Sequence, residues 1–386
     1  MTNLNDLDLE RLRARLSVKW RHYGRECLAA WVAEMDFPVA EPIRATLERA
    51  LELDDFGYPQ EQDVVGLPPL FAARMSERYG WQIEPERVEV LSDVVQGIYI
   101  ALMAFTAPGA GVVVQTPIYP PFLDSVKKLG RRLSTCALVD RGDRHGIDFE
   151  ALAQACRGAR MLLLCHPHNP SGRVFTTDEL GAIAALALEH DLLVVSDEIH
   201  ADLTLPGRTF TPFAAIDPQV AARTITLSSA SKAFNIAGLR CAVAHFGSSA
   251  LQERFNACVP GHARGGVGIL GQYCTKAAWE GGEQWLGEVK HTLDDNRHYL
   301  IRELHERLPE VRVHLPEATY LAWLDCSRLG LGKSAAAHFI QRGQLALSDG
   351  AWFGEGFAAC VRLNFATSPP ILREIVERLI AAARQP

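Results

Sequence analysis

A chain of 386 residues can bury a large core in one or two domains, and 48% hydrophobic with 22% charged residues is an ordinary globular balance. A net charge of −7 argues against a nucleic-acid surface, and no apolar run reaches the ~18 residues of a membrane span. Nine cysteines without a C-x-x-C pair predict reduced thiols, and Met1–Asp6 lacks the basic and apolar regions of a secretory signal, so the expectation is a cytoplasmic enzyme.

Residues 1–45 are too irregular to fold alone and are expected to pack, as an arm, on a C-terminal domain. Gly57-Tyr58-Pro59 reads as a turn. From residue 46 to 282, short apolar runs alternate with helical patterns. The predicted strands are Val88–Leu91, Gly111–Gln115, Met161–Cys165, Leu192–Ser196, Thr224–Ser228 and Cys241–Phe246. A helix is predicted over Thr177–Glu189, where Asp178 and Glu179 place negative charge in the first turn. Near-continuous apolar strands separated by helices indicate an α/β large domain with a mainly parallel sheet covered on both faces. From 283 to 386 the pattern changes. A long polar helix, Glu283–Leu308, precedes short strands around Val311–Val313 and Tyr320–Leu324, which predicts a smaller α+β domain. No internal repeat or long linker interrupts the chain.

Ligands of parallel sheets bind at the carboxyl ends of the strands, and the chemically interesting residues fall there. Ser92-Asp93-Val94-Val95 follows the first strand and opens a helix, whose free amides suit a phosphate. Tyr119 follows the second strand, where it could stack on a planar ring or simply pack in the core. Asn169, in His166-Pro167-His168-Asn169-Pro170-Ser171-Gly172-Arg173, could donate to a phenolate oxygen or serve the turn. His166 and His168 lack a third ligand at suitable spacing, so no metal is expected. Asp197 follows another apolar strand and could hold a pyridine nitrogen protonated, or cap a turn.

Lys232, in Ser229-Ala230-Ser231-Lys232, stands just beyond a buried strand, and a desolvated amine there is a better nucleophile at neutral pH. Ser229 and Arg240 flank it and suit a phosphate. A lysine able to form an imine beside a phosphate site points to pyridoxal 5'-phosphate (PLP). Arg362 interrupts the apolar run Cys360–Ala366, where its planar fork suits an amino-acid carboxylate or a structural ion pair.

Together these segments resemble PLP-dependent enzymes of the aspartate aminotransferase fold (fold type I). Within that fold the chain is most similar to the MalY/PatB-type cystathionine β-lyases. Trp31–Pro38, Gly57–Pro59, Pro167–Pro170, Ser196–His200, Ser229–Lys232, Phe234–Leu239 and Arg362–Ala366 carry the resemblance over nearly the whole chain. It implies a seven-stranded large domain and a homodimer. Lys232 would hold the cofactor covalently, Asp197 would pair with the ring nitrogen, Tyr119 would stack on the ring, and Asn169 would contact the ring oxygen and the substrate. The amides of Val94 and Val95, with Ser229 and Arg240, would bind phosphate, and Tyr58 would reach the phosphate in the neighbouring subunit. Arg362 would hold the substrate carboxylate.

His200 stands where many aminotransferases of this fold carry a tyrosine, as in the lyase subgroup. Several features depart from the lyase pattern: Arg240 is typical of aminotransferases, Asp93 replaces a usual glycine, and His262–Gly266 is unlike the usual segment. Glu34 also replaces a common aspartate. The resemblance implies α,β-elimination from sulfur amino acids such as cystathionine, giving a thiol, pyruvate and ammonia. Transamination by the same lysine is the alternative reading, and a non-catalytic regulatory protein a third.

Overall fold

The computed structural model describes residues 4–59 and 65–385. Its large sheet has seven strands: β1 (Val88–Leu91), β2 (Gly111–Thr116), β3 (Arg132–Ala137), β4 (Ala159–Cys165), β5 (Leu193–Asp197), β6 (Thr224–Ser228) and β7 (Ala242–Phe246). They lie in the order β1-β7-β6-β5-β4-β2-β3. Only β7 runs against its neighbours; β6, β5, β4, β2 and β3 pair in parallel. The sheet is therefore mainly parallel and mixed at one side.

The alternation of side chains along each strand explains why these runs are apolar throughout. Val112 and Val114 pack on one face with Ile98 and Leu102 of the Val94–Phe105 helix. Val113 points to the other face, where Leu162, Leu164 and Val194 meet Leu180, Ile183 and Ala187 of the Thr177–Glu189 helix. Each such side chain contributes roughly 1.5–3 kcal/mol by leaving water. The second helix begins in a capping box: Thr176 accepts from the Glu179 amide while Glu179 reaches back to the Thr176 amide. The edge strand β3 has no run of apolar residues to reveal it. Its side chains alternate between exposed and covered positions, as an edge requires.

The smaller domain holds a four-stranded antiparallel sheet. Its strands are β8 (Arg312–Val313), β9 (Leu321–Asp325), β10 (Ser348–Asp349) and β11 (Cys360–Asn364), in the order β8-β9-β11-β10. The Glu283–Arg307 helix covers it through Leu286, Val289, Leu293, Leu300 and Leu304, spaced for one helical face. No helix among the described residues is long and apolar enough to cross a membrane.

The N-terminal segment is tied to both domains by main-chain and amide hydrogen bonds. Leu28–Ala29 pairs in parallel with Leu345–Ala346. Asn364 donates to the carbonyls of Val32 (2.6 Å) and Glu34 (2.7 Å), while Asn235 accepts from the Met35 amide (3.0 Å) and donates to the Phe37 carbonyl (2.8 Å). Asn235 has a positive φ of 58°, which an asparagine tolerates better than most residues. Asp36 lies beneath, in a buried ion pair with Lys19 (2.7 Å), and also accepts from the Trp20 indole (3.1 Å). These clamps fix Ala33 over the carboxyl ends of the large sheet.

Candidate active site

Five connections leaving the large sheet converge on one cavity of about 400 Å³. After β1 comes the first turn of the Val94–Phe105 helix; after β2, Tyr119; after β4, Asn169; at the end of β5, Asp197, followed by His200; after β6, Ser231 and Lys232. A more capacious groove of about 790 Å³ runs under the N-terminal arm, but no strand end of the large sheet reaches it. Chemistry, rather than size, selects the smaller one.

Lys232 donates to the carbonyl of Ala33 (2.9 Å), and the same carbonyl accepts from the Tyr320 hydroxyl (3.0 Å). Desolvation lowers the lysine pKa to about 8, Arg362 adds to the effect, and Glu34 and Asp197 oppose it. Asp197 is 5% exposed, and among the described residues its carboxylate accepts one hydrogen bond, from the Ile199 amide (3.1 Å). Burial therefore pushes its pKa up to about 7, against that amide and the lysine charge. A carboxylate so poorly served gains most from a cationic or N–H partner in the cavity.

His200 is buried, and its Nδ1 has no partner among the described residues. Burial, then Lys232 and Arg362, lower its pKa to about 3, so the ring is neutral. Tyr119 lies across the cavity, its hydroxyl kept protonated by burial.

Arg362 is the least conventional group. On β11 it is 5% exposed, and among the described residues no carboxylate pairs with it. Its Nη1 donates to Asn169 Oδ1 (3.0 Å); Nη2 donates to the Trp31 carbonyl (3.0 Å) and Ser348 Oγ (3.1 Å). The guanidinium also lies 4.9 Å from the centre of the Phe353 ring, and its buried Nε has no partner among the described residues. Burial lowers its pKa to about 10, which still leaves it charged. A buried unpaired guanidinium is expensive unless an anion arrives. With Asn169 Oδ1 occupied by Arg362, the amide NH2 is the part left to donate into the cavity.

At the phosphate-like end, Asp93 caps the helix by accepting the Gln96 amide (2.7 Å), which leaves the Val94 and Val95 N–H groups without intrahelical partners. Arg240 reaches the same place and pairs with the second Asp93 oxygen. Ser229 does not line the cavity: its hydroxyl donates to the Cys241 carbonyl (2.6 Å) and accepts from the Ser231 amide (3.0 Å). Ser231 lines it instead. Tyr58 is 100% exposed and stands outside its own chain's cavity. His166 is buried in a stack with Phe210 (ring centres 4.8 Å apart), and His168 bonds to Ser171 (2.8 Å).

Ala33, Ser231 and Tyr320 were not singled out by the sequence reading. Ala33 acts through a carbonyl, which no side-chain pattern announces, and Tyr320 reads only as part of an apolar strand. Ser231 was visible as the hydroxyl next to Lys232, a nearer candidate than Ser229.

This fold, with a lysine, an aspartate and an asparagine at successive strand ends, is that of a known class. The chain belongs to the aminotransferase class I and II family, which it matches over residues 36–379. It is 36% identical to cystathionine beta-lyase of Corynebacterium glutamicum over 373 residues, covering 96% of this chain and 98% of the relative. It is 34% identical to cystathionine beta-lyase PatB of Bacillus subtilis, covering 95% and 96% of the two chains. Cystalysin of Treponema denticola, solved with its pyridoxal 5'-phosphate cofactor, superposes with a TM-score of 0.93 at 30% identity, over 99% and 98% of the two chains.

Proposed function

We propose that the chain is a PLP-dependent carbon–sulfur β-lyase that cleaves cystathionine-like amino acids to a thiol, pyruvate and ammonia. The observation that carries this reading is the buried Arg362, charged and without a carboxylate partner among the described residues, bonded through Asn169 to a cavity that contains Lys232 and Asp197. The donor set suits the cofactor on its own chemistry. Lys232 supplies an amine with a lowered pKa, Asp197 a partner for a ring N–H, Tyr119 a flat face, and the Val94 and Val95 amides a seat for phosphate.

When bound there, PLP supplies the electron sink that makes a Cα proton acidic. The protein does the rest. Arg362 takes the substrate carboxylate in its planar fork, and Asn169, already oriented by that guanidinium, holds the neighbouring oxygen. Lys232 removes the Cα proton, and the Ala33 carbonyl accepts a hydrogen bond from the ammonium that results. Asp197 would pair with the cofactor's ring N–H and favour its protonated form. With the Cα proton held on Lys232, a thiolate at Cβ would be the leaving group, and hydrolysis of the released enamine would give pyruvate and ammonia. The neutral His200 in place of a hydroxyl donor supports elimination over transamination.

The active unit is proposed to be a cytoplasmic homodimer in which Tyr58, projecting fully from its own chain, serves the neighbouring phosphate site. The division into arm (1–45), large domain (46–282) and small domain (283–386) belongs to the same proposal. Purified enzyme given cystathionine and no keto acid should release pyruvate and a thiol. Strict dependence on 2-oxoglutarate would contradict the lyase reading.

A further inference from the structure

Asp93 and Arg240 each depart from the lyase pattern, are separated by 147 residues in sequence, and carry opposite charges; the structure joins them in one ion pair. The pair sits at the mouth of the proposed phosphate seat. One Asp93 oxygen caps the helix while the other holds Arg240, so a carboxylate competes with any incoming phosphate for both the helix end and the arginine. The departing segment around Arg264 is tied to the same turn, because Gln96 donates to the Arg264 carbonyl (2.7 Å) and accepts from the Ser92 amide (3.1 Å).

We propose that Asp93 and Arg240 work as a charge-compensated unit that sets how tightly the chain retains its cofactor phosphate. In the cofactor-free protein, Asp93 stands in for the phosphate and keeps Arg240 in place. When phosphate arrives, Arg240 is shared between the two anions and weakens their mutual repulsion. Arg240 is thus needed chiefly because Asp93 is there. This inference rests on the PLP reading above but makes a demand that the reading does not.

The test is PLP binding to the apo-enzyme, followed by absorbance, for wild type, Asp93→Asn, Arg240→Gln and the double variant. Asparagine keeps the helix cap and removes only the charge. Arg240→Gln should weaken binding about tenfold or more through loss of a charge-assisted hydrogen bond. Asp93→Asn alone should tighten binding about threefold, the size of a partly exposed charge effect. The double variant should bind within about 1.5-fold of wild type, closer than the roughly threefold deficit that two independent effects would leave, because neither unpaired charge remains. The rise in apo-enzyme melting temperature caused by inorganic phosphate should follow the same order. The proposal is overturned if Asp93→Asn weakens binding, or if the double variant keeps the roughly threefold deficit that independent effects predict. Wild type that takes up no PLP at Lys232 would overturn the functional reading as well; normal uptake without compensation would overturn this inference alone.

Discussion

In the proposed function Arg362 and Arg240 would serve the two ends of one site, and their physical surroundings are opposite. Arg362 is buried, bonded to neutral groups only, and has no carboxylate among the described residues. Arg240 is 65% exposed at its side chain and already paired with Asp93. Desolvation would make the first a strong and selective anion site, since an arriving carboxylate would satisfy a charge that no carboxylate among the described residues does. Solvent and a resident carboxylate make the second a weak, adjustable one. The difference suits a substrate that must be gripped in a fixed orientation and a cofactor that is mainly held elsewhere, through Lys232.

Breaking the strong side should have the largest consequence. Arg362→Ala is expected to lower kcat/KM for cystathionine on the order of 10³-fold, from loss of a buried bidentate contact, while the PLP spectrum persists. Steady-state kinetics on the PLP-loaded variant checks this, and an equal loss for Arg362→Lys would show that the planar fork, not charge alone, matters. On the weak side, Arg240→Gln should leave kcat/KM at saturating PLP within a few-fold of wild type and act instead on cofactor affinity, by about tenfold.

The pH response follows from Lys232. Its pKa of about 8 lies below the usual 10.5, so the neutral amine is scarce below pH 8 and dominant above it. PLP uptake by apo-enzyme should accelerate about tenfold per pH unit approaching 8 and level off beyond it, as the neutral fraction dictates. A constant rate from pH 6 to 9 would count against a desolvated amine. The unfolded chain binds more protons between about 8 and 10.5, so this group's contribution to stability rises with pH across that window and should vanish in Lys232→Ala.

The smallest effect is expected from Tyr320→Phe. Removing the second donor to the Ala33 carbonyl frees that oxygen for the lysine ammonium, which should move the lower limb of the uptake profile up by roughly half a pH unit. An unchanged profile would remove Tyr320 from the account of how Lys232 is positioned.

Much of this site was legible in the sequence because its side chains follow apolar strands. β2, β5 and β6 are marked by nearly continuous buried residues; Asp197 closes β5, and Tyr119 and Lys232 follow β2 and β6. The strand β3 was not legible, since an edge strand alternates and includes charged and hydroxyl residues. Nor was the Ala33 carbonyl, whose role depends on two asparagines, Asn235 and Asn364, clamping the arm from different domains. The Asp93–Arg240 pair was visible only as two separate oddities, because charge compensation across 147 residues requires the fold that brings them together. Ser229 is the converse case: a hydroxyl at suitable spacing for phosphate donates to the Cys241 carbonyl, a partner that spacing in sequence does not reveal.

Sodium borohydride reduction of the PLP-loaded protein, followed by peptide mapping, tests the central claim most directly. A single pyridoxyl group on the peptide containing Lys232 is the predicted result. A reduced, mapped protein with that peptide unmodified, or with the label on another lysine, would contradict it.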